Sequence, residues 1–442
     1  VPSADLRPYR GAYPGDLLVT LLHDQRAAVA RLDAVGGDLV EARVGRLPAL
    51  YLVRHPDLVR ELLVDRNADV TKARGLRLAK QVLGEGLLTS EPPVHTRQRR
   101  LVLPAFGHRR LRAYGAVFVE EAEAEAARWA PGAPFDAAAA MNRLALTIAG
   151  RTLFGADVLQ SADRVARAVR DALRAFDQAQ YPFADRLTAL PLPANRRSRR
   201  ARAVLDDVVY GLIGERRAGP RGGDDLLAML LDAQDEETGV GMTDEEVRDE
   251  AMTLLLAGHE TTAVALAWTW ALLAEHPDVE ARLWAEVDAL DGPPAFEDLG
   301  RLPYTRQVLA ESMRLRPPAW VVGREAARDT ALGGVPVEQG STVLFAPYHI
   351  HRDGRFWEAP GRFDPDRFEA GRAQERHKFA YVPFSAGRRG CIGEQFAWAE
   401  GVLVLSAIAR RWRLRPVAPT PAPHGSVTLR LAGPLRVVAE RR

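Results

Sequence analysis

The chain is 442 residues long, 47% hydrophobic, 27% charged and 7% aromatic, a soluble globular composition that excludes collagen-like and wholly disordered classes and allows about three domains or one large one. A single cysteine, Cys391, excludes a disulfide framework and any cysteine-rich zinc or iron–sulfur centre. The net charge is +2, but only Lys72, Lys80 and Lys378 among 60 basic residues are lysine, so arginine clusters reflect composition and no nucleic-acid partner is expected.

At the N-terminus no basic flank precedes an apolar core and cleavage site, and Leu17–Leu22 is too short to span a bilayer. No membrane anchor and a cytoplasmic location are therefore expected. Ala49–Val53 reads as a strand in a small β portion at about 40–55, and from about 57 to 316 the apolar spacing is helical. Within that stretch His95-Thr96-Arg97-Gln98-Arg99-Arg100 opens a basic helix after Pro92-Pro93, by default a solvated one. Turn residues predict loops at Pro191–Asn195, before the run Arg196–Arg202, at Gly214–Gly223, and at Asp291–Pro294.

Ala251–Ala274 is the longest apolar stretch, interrupted by Gly258-His259-Glu260-Thr261-Thr262, and reads as a buried helix. Positions 254, 257, 258, 261 and 265 share one face, and Ala257, Gly258 and Ala265 make it small-sided, which suits helix packing or close approach of a bulky group. A zinc-protease reading fails because the second histidine it needs is Ala263. Further on, Glu311 and Arg314 stand at i and i+3 on a helix that Pro317 ends, taken alone a weak ion pair. Beyond it the texture is β-rich at about 318–348, including Ser341–Tyr348. His351-Arg352-Asp353 lacks the leucine and asparagine of a kinase loop, since Gly354 and Glu358 stand there. Val427–Leu431 and Leu435–Val438 predict a hairpin about Gly433-Pro434.

Cys391 lies in Phe384-Ser385-Ala386-Gly387-Arg388-Arg389-Gly390-Cys391-Ile392-Gly393. Three glycines at spacing three allow a tight turn and close approach to a flat partner, but lack the first glycine step of a dinucleotide loop. Arg388, Arg389 and a helix starting near Gly393 favour thiolate over thiol, either as nucleophile or as metal ligand.

Phe384, Gly387, Arg389, Cys391 and Gly393 reproduce Phe-x-x-Gly-x-Arg-x-Cys-x-Gly, and the segment resembles the haem-binding loop of cytochrome P450 proteins. The resemblance runs from about Pro14 to Val438 and implies a mainly α fold with a minor β portion, one cytochrome P450 haem domain over 1–442 rather than three domains. It makes Cys391 the thiolate ligand of haem b (iron protoporphyrin IX), with Arg389 at a propionate and Phe384 shielding the sulfur. Ala257 and Gly258 fall in the oxygen-activating helix, with Glu260 and Thr261 as the acid–alcohol pair that delivers protons. Glu311, Arg314 and Arg367 form a buried structural triad. His95, Arg99 and Arg324 are further propionate partners.

The activity implied is that of a soluble bacterial monooxygenase of secondary metabolism, inserting one atom of O2 by hydroxylation or epoxidation. Its substrate is a lipophilic small molecule, terpenoid, fatty acid or polyketide-like. Electrons come from a separate ferredoxin and ferredoxin reductase, docked on Arg97, Arg100, Arg109, Arg110, Arg112 and Arg388. Leu76, Leu78, Leu83, Leu87, Leu88, Phe176, Tyr181 and Phe183 are candidate apolar pocket residues. Two rivals stand beside this: a peroxide-driven or rearranging haem-thiolate enzyme, against which Glu260-Thr261 argues, and a non-enzymatic haem sensor or carrier, which needs no proton delivery.

Overall fold

The computed structural model describes residues 3–442 apart from 13–14, 44, 46, 156–166, 170, 173, 175–189, 191, 220–224 and 236. The fold is mainly helical with a minor β portion. Along the chain α1 (Asp16–His23) and α2 (Gln25–Asp33) precede α3 (Arg74–Leu83), α4 (Val94–Val102), α5 (His108–Ala127) and α6 (Ala137–Phe154). Then come α7 (Pro193–Ala218), α8 (Leu226–Asp232), α9 (Asp244–Glu275), α10 (Pro277–Asp288) and α11 (Pro303–Leu315), and α12 (Glu394–Ala409) is the last long helix.

The 32 residues of α9 span roughly 48 Å. Its start is fixed by a capping box between Thr243 and Glu246, with Asp244, Glu245 and Glu246 complementing the helix dipole. From Val247 to Leu273 it is buried at all but three positions, so it runs through the interior rather than along the surface. The largest core joins α5, α6, α9, α10, α11 and α12 through Phe118, Ile148, Leu266, Trp270, Val308 and Leu403, all essentially inaccessible. Gly401 lets α12 approach α11 closely, since a Cβ there would stand 2.4 Å from Leu309.

A six-stranded sheet has the order β1-β2-β3-β9-β6-β4, from β1 (Leu6–Pro8), β2 (Leu39–Ala42), β3 (Leu50–Val53), β4 (Val70–Lys72), β6 (Val322–Ala326) and β9 (Thr342–Phe345). It joins the two ends of the sequence: β3 and β9 pair in parallel, Leu50 with Thr342 through Val53 with Phe345. A second sheet has the order β10-β13-β5, from β5 (Pro134–Asp136), β10 (Trp412–Pro416) and β13 (Arg436–Arg441). Two hairpins complete the β portion, β7 (Thr330–Leu332) with β8 (Val335–Val337), and β11 (Pro423–Gly425) with β12 (Leu429–Leu431).

Three expectations are corrected. The hairpin about Gly433-Pro434 does not form, because β12 folds back on β11 whereas β13 joins β10 and β5. Val437 and Ala439 bury their side chains in that second sheet, and alternation cannot name the partner strand. The loops expected at Pro191–Asn195 and Gly214–Gly223 shrink, since α7 starts at Pro193, where proline suits a first helical position, and runs through Gly214 to Ala218. The stretch 57–316 is interrupted by β4 and β5, three residues each and too short for periodicity to reveal.

Candidate active site

The cysteine loop is held by its own backbone. Cys391 N–H donates to Phe384 O at 2.9 Å and Gly390 N–H to Gly387 O at 3.0 Å, around a 3-10 turn at Gly387–Arg389. Gly387 has φ +69°, and a Cβ there would lie 2.2 Å from Leu63 O, so glycine is required twice over. Phe384 packs on Trp398 with ring centres 5.5 Å apart, and the Arg306 guanidinium lies over the Trp398 ring at 4.2 Å.

The Cys391 sulfur is exposed although protein surrounds it, so it opens onto interior space. Burial pushes its thiol above the usual range, with the Gly393 N–H and Arg99 working against that shift. This reverses the expectation that neighbouring arginines favour thiolate: Arg388 points to solvent, and Arg389 is paired with Glu91. A sulfur so placed becomes an anion when a metal takes it, because ligation requires the deprotonated form.

On α9 the three positions between Val247 and Leu273 that escape burial are Ala257, Gly258 and Thr261. They lie on one face, and a Cβ on Gly258 would meet nothing within 4 Å. The small face thus borders open space inside the molecule. Thr261 Oγ1 donates to Ala257 O at 2.7 Å, a bond within its own helix. Glu260 is buried on the adjacent face and accepts from Thr428 Oγ1 at 2.9 Å and Arg430 Nε at 2.5 Å.

Between α9 and the cysteine loop the chain gathers cations. Leu87 N–H donates to Glu250 of α9 at 3.1 Å, Leu87 O accepts from Lys72 Nζ at 2.6 Å, and Lys72 N–H donates to Glu91, the partner of Arg389. Arg99, one turn after His95 on α4, donates to Gly390 O at 2.8 Å. Arg324, on β6 opposite Lys72 of β4, is buried, bonds to Gly323 O at 3.0 Å, and has no carboxylate partner among the described residues. Burial, before crowding, shifts each group. Burial, with Arg389 and Arg324 nearby, lowers Lys72 to about 6; burial, with Lys72 and Arg99, lowers His95 to about 4; burial lowers Arg324 to about 10. Glu250, the nearest acid on α9, is pushed up to about 8 by burial and offers little compensating charge near neutrality.

Glu311 and Arg314 are both at 0% exposure, with contacts at 2.6 and 2.7 Å. Arg314 also donates to His351 O, Pro360 O and Arg362 O, using all five of its N–H groups. Arg367 Nε approaches Glu311 at 3.5 Å, so the three charges meet as one buried set. Sequence reasoning did not single out Lys72, Glu91, Glu250, Thr428 or Arg430; the rarity of lysine was a usable signal only for the first. Of the candidate docking arginines, Arg97 pairs with Glu246, Arg100 with Asp235 and Glu237, and Arg112 with Glu297, and Arg110 is engaged as well. Arg109 and Arg388 are exposed with no ion pair among the described residues. Leu83 and Leu87 are buried and Leu76, Leu78 and Leu88 half-buried, while Phe176, Tyr181 and Phe183 lie outside the described residues. No described helix is long and apolar enough to cross a membrane.

These residues fit an iron porphyrin. A lone sulfur opens onto interior space, a glycine face borders a void, and buried cations short of counter-charge suit two carboxylates. Comparison with known proteins agrees. A family model described as cytochrome P450 matches residues 15–437. Cyclooctatin synthase of Streptomyces melanosporofaciens is 43% identical over 418 residues, covering 92% of this chain and 89% of that protein. Cyclooctat-9-en-7-ol 5-monooxygenase of the same organism is 40% identical, with the same coverage. Pentalenene oxygenase of Streptomyces avermitilis is 37% identical, covering 86% and 87%. The crystal structure of the cytochrome P450DA haem domain superposes with TM-score 0.84 at 28% identity, over 99% of this chain and 98% of that one.

Proposed function

The chain belongs to the cytochrome P450 family, whose members are haem-thiolate monooxygenases, and from that premise we propose that it holds haem b and oxygenates a lipophilic terpenoid with electrons from a ferredoxin and its reductase. The single observation that carries this reading is the lone, inward-opening sulfur of Cys391 on its fixed loop. The terpenoid class is supported by relatives named for cyclooctatin, cyclooctat-9-en-7-ol and pentalenene.

When bound, haem supplies an iron that accepts electrons singly and activates dioxygen for transfer of one oxygen atom to carbon. The chain's own residues do the rest. Cys391 Sγ serves as the metal ligand, while the Gly393 N–H and Arg99 favour its negative charge and Phe384 screens it. His95, Arg99, Arg324, Arg389 and Lys72 hold the propionates. Ala257 and Gly258 leave space for substrate and dioxygen against α9. Thr261 Oγ1 carries a proton toward that space, and Glu260 resupplies it. Glu311, Arg314 and Arg367 keep the loop's supporting segments in register.

The test is the reduced, CO-bound spectrum. Wild type is expected to show the red-shifted thiolate Soret band and Cys391→Ser to lose it; a wild type without the band overturns the Cys391 role. Spectral titration with terpenoid alkenes and alcohols, against fatty acids as the contrasting set, checks the substrate class, and mass spectrometry of products checks the gain of one oxygen.

A further inference from the structure

Beside the Phe384–Trp398 pair, α5, α11, α12 and the 3-10 turn Phe296–Arg301 meet around a cavity of about 210 Å³. None of its described lining residues belongs to α9, so it is separate from the space in front of Ala257 and Gly258, and it shares no residue with the haem cradle. α12 supplies most of the floor. Trp398, Ala399 and Val402 lie on one face of that helix and are buried, with Leu111 of α5 beside them. Phe296 and Leu299 make a half-buried wall. That wall is fixed from behind, because Gly115 lets α5 approach so closely that a Cβ there would stand 2.9 Å from Phe296 Cβ. The His108 ring holds Phe296 edge-on, with ring centres 5.2 Å apart.

The charged and amide side chains of the lining are His108, Arg306 and Gln395, and all three are exposed, which sets them at the mouth over an apolar interior. Each can donate an N–H, and none is an acid. The Arg306 guanidinium is spread over the Trp398 ring at 4.2 Å, and its side chain has no hydrogen bond or ion pair among the described residues. Glu394 is near enough to act on its charge, yet receives the Trp398 Nε1–H at 3.4 Å rather than the guanidinium. An apolar, aromatic-walled cavity thus ends at a planar cation whose fork is free for a carboxylate. A neutral ligand leaves that fork unused, and a doubly charged phosphate outweighs the one full cation. The cavity is smaller than the roughly 300–1,000 Å³ of drug-sized pockets, which limits the ligand to one or two rings.

We propose that this cavity is a second ligand site of the protein, for a small aromatic carboxylate. Its ring lies on Trp398 and Val402 against Phe296 and Leu299. Its carboxylate takes the Arg306 fork, with the N–H groups of His108 and Gln395 at hand. Binding is non-covalent and independent of the substrate space, since the two cavities have no lining residue in common.

The experiment uses the haem-loaded protein with clotrimazole filling the substrate space, and phenylacetate as the probe in isothermal titration calorimetry. Phenylacetamide is the neutral match. Wild type is expected to show one saturable phenylacetate site and to bind the amide about tenfold more weakly. Arg306→Gln is expected to bring phenylacetate down to the affinity of the amide, and Arg306→Lys to recover part of the loss. Leu299→Trp fills the cavity and is expected to abolish binding of both while leaving the Soret spectrum unchanged. Absence of a saturable phenylacetate site in wild type, or equal affinity for acid and amide, overturns the proposal. Binding that survives Leu299→Trp places the ligand elsewhere and overturns it too. Labelling of Arg306 by phenylglyoxal, read by peptide mass spectrometry, separates a protein occupant: protection by an acidic ferredoxin but not by phenylacetate assigns the cavity to partner docking and overturns the small-molecule site.

Discussion

At the scale of single residues, burial decides the behaviour of several ionisable groups more than their sequence neighbours do. Glu400 of α12 is buried, receives a hydrogen bond from the Thr262 hydroxyl, and is pushed up by burial to about 8. Its folded value lies above its ordinary one of 4.5, so its contribution to stability is full below about pH 4.5 and is lost as pH rises to about 8. Glu400→Gln keeps the shape and hydrogen bond and removes that loss. Its melting temperature is expected to exceed wild type by a few degrees at pH 8.5 and by little at pH 5, measured by calorimetry on both proteins. Arg324 gives opposite signs in two states. Without haem it is a buried cation with no carboxylate partner among the described residues, so Arg324→Met is expected to raise the melting temperature of the haem-free protein while speeding haem loss from the loaded one. Haem transfer to an acceptor protein measures the second. Cys391 was legible because its signature is local, ten consecutive residues. Lys72, Glu91 and Glu250 were not, because Lys72 meets Leu87 and Glu91 only through the turn of the chain after α3, while Glu91 and Glu250 take Arg389 and Leu87 from segments far along the chain.

Among the elements, α11 shows how a weak sequence signal becomes strong in place. The i, i+3 pair of Glu311 and Arg314 would contribute only about 0.2–0.5 kcal/mol on a surface helix. At 0% exposure it behaves as a buried charge set. Glu311→Gln leaves Arg314 and Arg367 without their anion and is expected to cost roughly 3–5 kcal/mol in urea unfolding, with loss of the cysteine loop's order. A loss under about 1 kcal/mol would mean that the three carbonyls on Arg314 suffice. The long helix α9 was readable because apolar residues persist over many turns. The pairing of β12 and β13 was not, since both strands have the same alternation and their partners are set by the surfaces they cover.

For the whole molecule, four of the six arginines proposed as a redox docking face already have partners within the chain. Arg109 and Arg388 are the exposed cations of that group with no ion pair among the described residues, and they are expected to carry the electrostatic attraction for an acidic ferredoxin. The double variant Arg109→Gln, Arg388→Gln should slow reduction severalfold at low ionic strength and converge on wild type at about 0.5 M salt, by stopped-flow spectroscopy. Equal rates at low salt would place the docking face elsewhere.

The six-stranded sheet also has a consequence for synthesis. The pairing of β3 with β9 closes a loop of roughly 290 residues. At ~5–20 residues per second, the Leu50-Tyr51-Leu52-Val53 edge waits roughly 15–60 s on the ribosome for its parallel partner. β2 covers one side of this strand from early on, but throughout that wait its other side is an open apolar edge, the kind that recruits other nascent chains. Chaperone cover of nascent chains is therefore expected to raise the soluble fraction recovered from an expression host, measured by sedimentation of lysates with and without the added chaperone.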